Sequence, residues 1–133
     1  MALTTLGKNQ IANLLLQNAQ VALGTLSSGV FTEVSGNNYA RVTRENAHLD
    51  NTNGVITNTQ TFYFPDADDG TTPDSLNPQQ TGGWGTVNAL AIYNGSGSDL
   101  RYAGLLTTAI DVKQGMRVKF EANDIQLTIV ATE

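Results

Sequence analysis

The only histidine, His48, stands in "RENAHLD" with Glu45 and Asp50 on either side. A histidine beside carboxylates has the chemistry of a general base or a metal ligand. A base needs a nucleophile to activate, and a zinc site needs further nitrogen or sulfur ligands. The sequence has no second histidine and no cysteine, and no G-x-S-x-G, G-x-x-x-x-G-K-[ST] or H-E-x-x-H motif. His48 therefore reads as a solvated loop residue, and no catalysis is expected. The second candidate is "PDADDGTTPDS", where Asp66, Asp68 and Asp69 offer the hard oxygens that calcium takes. Counted from Asp66, the EF-hand glycine position holds Thr71 and the bidentate glutamate position holds Asn77, so the register fails. No metal or cofactor is expected. The third candidate is Trp84, held between Gly83 and Gly85. It is either a ligand-stacking ring or a packing peg where a loop re-enters a sheet.

Composition narrows the field further. Only 14 % of the 133 residues are charged, and the net charge is −5. Seven scattered basic residues supply no patch for phosphates, so nucleic acid is not an expected partner. No apolar run is long enough to cross a bilayer, and no basic-then-apolar leader opens the chain, so neither a membrane nor a signal peptide is expected. The polar surface is built from amides and hydroxyls, which cost less to desolvate than charges. That favours packing against other protein.

These residues must be positioned by strands. "TTLGKNQIANLLLQNAQ" has helical spacing, with Ile11, Leu14 and Leu15 on one face, Ala12, Leu16 and Ala19 broadening it, and Thr4 or Thr5 as N-cap. From Gln20 the pattern turns to period two. "QVALGTL" and "YARVTR" read as strands, with "FTEVSGNN" a loop containing one short extended piece. Asn53-Gly54 marks a turn before the strand "VITNTQTFYF", which Pro65 stops. "TVNALAIY" and "LRYAGLLTT" form a hairpin, the first strand apolar on both faces and so covered on both. "MRVKFEA" and "DIQLTIVA" follow, with Met116, Val118, Phe120, Ile125, Leu127 and Ile129 inward. The expected fold is mainly β: an antiparallel β-sandwich or jelly roll at 20–133, preceded by a helical arm at 1–19. A long acidic loop spans 65–83.

The sequence resembles a family of small tailed-bacteriophage virion proteins, described variously as tail-fibre, decoration or structural proteins. The resemblance runs through Gly36 and Tyr39-Ala40-Arg41-Val42, Phe64-Pro65, Trp84-Gly85-Thr86-Val87, Ile92-Tyr93-Asn94, Gly104 to Thr108, and "FEANDIQLTI". Here the acidic loop is inserted between Phe-Pro and Trp-Gly, and Asn123 stands where that family commonly has a turn glycine. The resemblance implies a β-sandwich with a structural role in the virion. It also favours Trp84 as a structural peg.

A structural protein works through its surfaces. The expected contacts are Leu14, Leu15 and Leu16 on the helix, Val30, Phe31 and Val34 in "SSGVFTEV", and Asp66, Asp68, Asp69 and Asp74 in the acidic loop. The expected partners are the major capsid protein and further copies of the chain as a homotrimer. Capsid decoration is the leading expectation, and a tail, baseplate or fibre-attachment component bound to another tail protein is the alternative. A carbohydrate-binding module is a distant third. Assembly into the virion in the host cytoplasm is expected.

Overall fold

The computed structural model describes residues 4–68, 82–94 and 99–129. Within them, α1 (Thr5–Leu16) precedes β1 (Gln20–Ser27), β2 (Val30–Glu33), β3 (Val42–Thr43), β4 (Leu49–Thr52) and β5 (Val55–Asn58). Then come β6 (Phe62–Tyr63), β7 (Gly85–Tyr93), β8 (Leu100–Val112), β9 (Lys119–Phe120) and β10 (Gln126–Thr128). The main sheet has the order β2-β1-β7-β8, with β3 also on β1. A three-stranded sheet, β10-β5-β4, and the pair β6-β9 complete an antiparallel β-sandwich. Val21, Leu23, Val87 and Leu90 from the main sheet meet Leu49, Ile56, Phe62 and Phe120 in one core. Phe62 stacks on Phe120 at 5.3 Å between centroids, and Phe64 closes the group at 6.0 and 6.2 Å from them.

Turn chemistry sets the hairpins. Asn53 and Gly54 both have positive φ, 53° and 86°, the pairing that a two-residue turn between Thr52 and Val55 requires. Ser28 and Gly29 do the same between Ser27 and Val30. "FTEV" is therefore largely strand, β2, rather than loop. Asn123 takes the turn glycine's left-handed conformation, φ 69°.

Two expected strands are shorter. "VITNTQTFYF" breaks after Asn58, and its halves join different sheets. The break is held by Asn58, which is fully buried. Its amide donates to the carbonyls of Gln60 (3.1 Å) and Glu121 (2.7 Å) and accepts from Ile125 N–H (2.9 Å). A buried amide so satisfied replaces the ladder that the strand gives up. "YARVTR" contracts to Val42–Thr43, because Tyr39 and Arg41 turn toward Glu33. Met116 is 40 % exposed rather than inward, whereas Val118 and Phe120 are buried.

The main sheet divides at Asn88, the one polar residue in the middle of β7. Its Oδ1 accepts from Leu26 N–H at 2.8 Å. On the other side, the β7–β8 register passes from Val87↔Ile110 to Ala89↔Leu105, so residues 106–109 bulge opposite a single residue.

α1 is capped by Thr4, whose Oγ1 accepts from Gly7 N–H at 3.0 Å. The buried stripe is the broadened side of the expected face and not its centre. Ala12 and Leu16 are fully buried, while Ile11 and Leu14 are 40 % and 65 % exposed. The helix lies against β4, where Asn51 donates to Asn9 (3.0 Å) and Asn13 (3.3 Å). Because these two asparagines face β4, the helix is rotated and its leucines turn partly outward. Ala12 and Leu16 share the core of the strands, so α1 packs on its own chain.

Candidate interaction surfaces

His48 lies half-buried with φ 53° in a shallow dent of about 360 Å³, beside Arg44, Glu45, Asp50 and Thr59. Its carbonyl accepts from Thr59 N–H (2.9 Å) and Oγ1 (3.2 Å), a backbone role. Among the described residues, no three His, Asp or Glu side chains converge as metal ligands.

The "SSGVFTEV" residues divide by face. Val30 is 65 % exposed, Phe31 leans on Tyr93 with centroids 6.2 Å apart, and Val34 packs against the core. Between them, Glu33 anchors a network that sequence analysis does not single out. Both of its carboxylate oxygens accept from Arg41, at 2.7 Å each, and Oε2 also accepts from Tyr39 Oη–H at 2.7 Å. Arg41 lies 3.8 Å above the Tyr93 ring, and the Tyr39 oxygen accepts from Leu23 N–H at 3.0 Å. Burial alone would raise the Glu33 carboxyl. The bonds from Arg41 and Tyr39 outweigh it and leave the pKa below the ordinary value. Tyr39 is pushed far up by burial and by its bond to Glu33. The arrangement clips β2 to the 39–41 segment and leaves no free acid or base.

The entry to the acidic loop is tied down. Ala67 N–H donates to Met116 and its carbonyl accepts from Gly115, so 64–67 run as an extension beside 115–118. Asp66 pairs with Arg117 at 2.6 Å, which holds its carboxyl below the usual range, and Asp68 accepts from Gln114 at 3.2 Å. Both carboxylates thus have partners within the chain, although they face solvent. Asp69 and Asp74 lie outside the described residues.

Trp84 is half-buried and packs against the core. Its ring meets Tyr39 edge-on at 5.3 Å, and its Nε1–H donates to the Asn37 carbonyl at 3.0 Å. Its backbone N–H donates to Val112 at 2.8 Å. Both flanking glycines are required. A Cβ on Gly83 would fall 2.5 Å from the Val112 carbonyl, and Gly85 has φ +74°. With its nitrogen bonded to backbone and one edge on Tyr39, the ring closes one end of the sandwich.

Of the helix leucines, Leu16 is fully buried in the core and out of reach of any partner in this fold; Leu15 is half-buried and Leu14 is exposed. The last turn of α1 has no basic residue of its own. Two arginines from elsewhere supply that charge. Arg101 Nη1 donates to the carbonyls of Leu14 (3.0 Å), Leu15 (3.1 Å) and Gln17 (2.6 Å), and Arg44 approaches Leu16 at 3.5 Å. Arg101 belongs to β8, which has no strand on its outer side among the described residues. Leu100, Tyr102 and Leu105 are exposed along it, at 46 %, 37 % and 68 %. The sequence places Tyr102 on the second strand of a hairpin, and only the sheet order shows that strand to be an edge among the described residues.

A search of curated proteins finds no match to this chain. A family model described as "Podophage GP4 fiber I protein gp80" matches residues 2–128, nearly the whole sequence; the chain belongs to that family of tailed-phage virion structural proteins.

Proposed function

We propose that this chain is a non-catalytic building unit of a podophage fibre, attached to other virion proteins through protein–protein contacts. The observation that carries the reading is the family match, whose description names a fibre protein. The low charge and amide-rich surface fit a role in packing against neighbours rather than against nucleic acid. A second reading is decoration of the head lattice, with the major capsid protein as partner. The same surface chemistry suits it, as does a single small domain that docks as a homotrimer on a repeating shell.

Copy number separates the two. Quantitative mass spectrometry of purified particles, normalised to the major capsid protein, yields a few dozen copies or fewer for a fibre unit. A ratio near one moves the protein to the head lattice. Absence from the particle removes both readings.

A further inference from the structure

The sequence holds two Asn-Gly pairs, Asn53-Gly54 and Asn94-Gly95. Such a pair carries a reaction of its own. The glycine nitrogen gives up its proton and attacks the asparagine Cγ, and a five-membered imide forms as ammonia leaves. Water then opens the imide at either carbonyl and yields aspartate or isoaspartate. Glycine favours the attack because it has no Cβ to obstruct it. Gly95 lies outside the described residues, whereas Asn53 is exposed to water at the tip of the β4–β5 turn. The structure restrains its neighbour, Gly54, on three sides. Gly54 N–H donates to Asn51 Oδ1 at 2.9 Å, and its carbonyl accepts from Ile129 N–H at 2.8 Å. Lys8 of α1 lies across it, so closely that a Cβ on Gly54 would fall 2.7 Å from Lys8 Cβ. Asn51 is fixed in turn by the helix, since its Nδ2 donates to Asn9 at 3.0 Å and to Asn13 at 3.3 Å. These two acceptors are four residues apart and share one face of α1.

We propose that Asn53 is a masked deamidation site, and that α1 masks it through Asn51. An amide has one accepting and one donating end. Asn9 and Asn13 take the donating end of Asn51, so its oxygen is presented to Gly54 N–H. While that bond stands, the Gly54 nitrogen is directed at Asn51 and not at the Asn53 side chain. For the attack to begin, Gly54 must leave Asn51 and move out from beneath Lys8. Both movements require the turn to open locally or α1 to lift from it. The reaction would matter to the fold. Either product adds a negative charge, and isoaspartate also adds a main-chain carbon between Thr52 and Gly54. That extra carbon disturbs the turn that pairs Thr52 with Val55 and so aligns β4 with β5. α1 therefore guards the chemistry of the turn as well as covering the core. This role is independent of where in the virion the chain is placed.

The test follows the full chain in mildly alkaline buffer by peptide mass spectrometry, with fragmentation that separates aspartate from isoaspartate at position 53. Wild type is compared with the same chain unfolded in urea and with Asn51→Ala, Asn51→Asp and Glu33→Gln, each checked for folding by circular dichroism. Folded wild type is expected to convert Asn53 far more slowly than the unfolded chain. Asn51→Ala should convert it about tenfold faster than wild type, because the turn then opens against one hydrogen bond fewer. Asn51→Asp keeps an oxygen for Gly54 N–H, and the Asn9 and Asn13 amides can rotate to donate to it, so it should stay close to wild type. Glu33→Gln weakens a contact of the other sheet and controls for loosening of the whole fold. Folded wild type that reacts as fast as the unfolded chain overturns the proposal. So does an Asn51→Ala rate equal to wild type, or one that Asn51→Asp or Glu33→Gln matches.

Discussion

At the scale of single residues, the most informative group is Glu33 with Tyr39 and Arg41, because one carboxylate ties β2 to the 39–41 segment through three hydrogen bonds. Alternation in "VFTEV" shows that Glu33 breaks an apolar run, but only the fold brings Arg41 to both of its oxygens, at 2.7 Å each. The pair is about four-fifths shielded, so its bonds are less diluted by solvent than those of a surface pair. Glu33→Gln is expected to cost about 2 kcal/mol at neutral pH, the range for a hydrogen bond to a charged group. The folded-state carboxyl is depressed below its unfolded value. Its stabilisation is therefore complete above the unfolded pKa, and it is lost as pH falls through the folded one. Denaturant midpoints should differ between wild type and variant at pH 7 and converge below about pH 4. A gap that persists unchanged into acid would show that the charge of Glu33 is not its source.

Elements were legible in the sequence to different depths. Turn chemistry was read directly, since Asn53-Gly54 makes the predicted turn and Asn123 takes the conformation of the glycine it replaces. The covered central strand was equally plain, because both faces of "TVNALAIY" are apolar. The helix was found, but its orientation was not. Periodicity favours the face with most leucines, whereas the observed rotation is set by Asn9 and Asn13 bonding Asn51 and by arginines from other elements. Those long-range amide and guanidinium contacts leave no local pattern. The same limit applies to β8, whose place at the edge is a property of sheet order. Burial now separates neighbours that sequence treats alike. Leu16→Ala empties a fully buried position and should lower stability by about 2–5 kcal/mol. Leu14→Ala, at 65 % exposure, should stay within about 0.5 kcal/mol. Urea unfolding followed by Trp84 fluorescence at low protein concentration measures both. Equal effects, or a larger one at Leu14, would mean that α1 docks with a different face than the one described.

At the scale of the whole molecule, the balance is between a net charge of −5 and a sequence in which only 14 % of residues are charged. Two contact modes make opposite predictions for salt. If copies of the chain associate through apolar contacts, the attraction is short-range, while the long-range term is mutual repulsion. Added salt screens that repulsion over a Debye length of about 10 Å at 0.1 M, shrinking to about 3 Å at 1 M. Association should then tighten by a few-fold as sodium chloride rises from about 0.05 to about 0.5 M. If the contact instead pairs acidic side chains such as Asp66 and Asp68 with basic groups of a neighbour, salt weakens it. The structure favours the first sign, since Asp66 already spends its charge on Arg117 and Asp68 accepts from Gln114. Equilibrium sedimentation across that salt range reads the sign directly. A dissociation constant that rises with salt would assign the contact to acidic side chains, with no change to the fold or to the family.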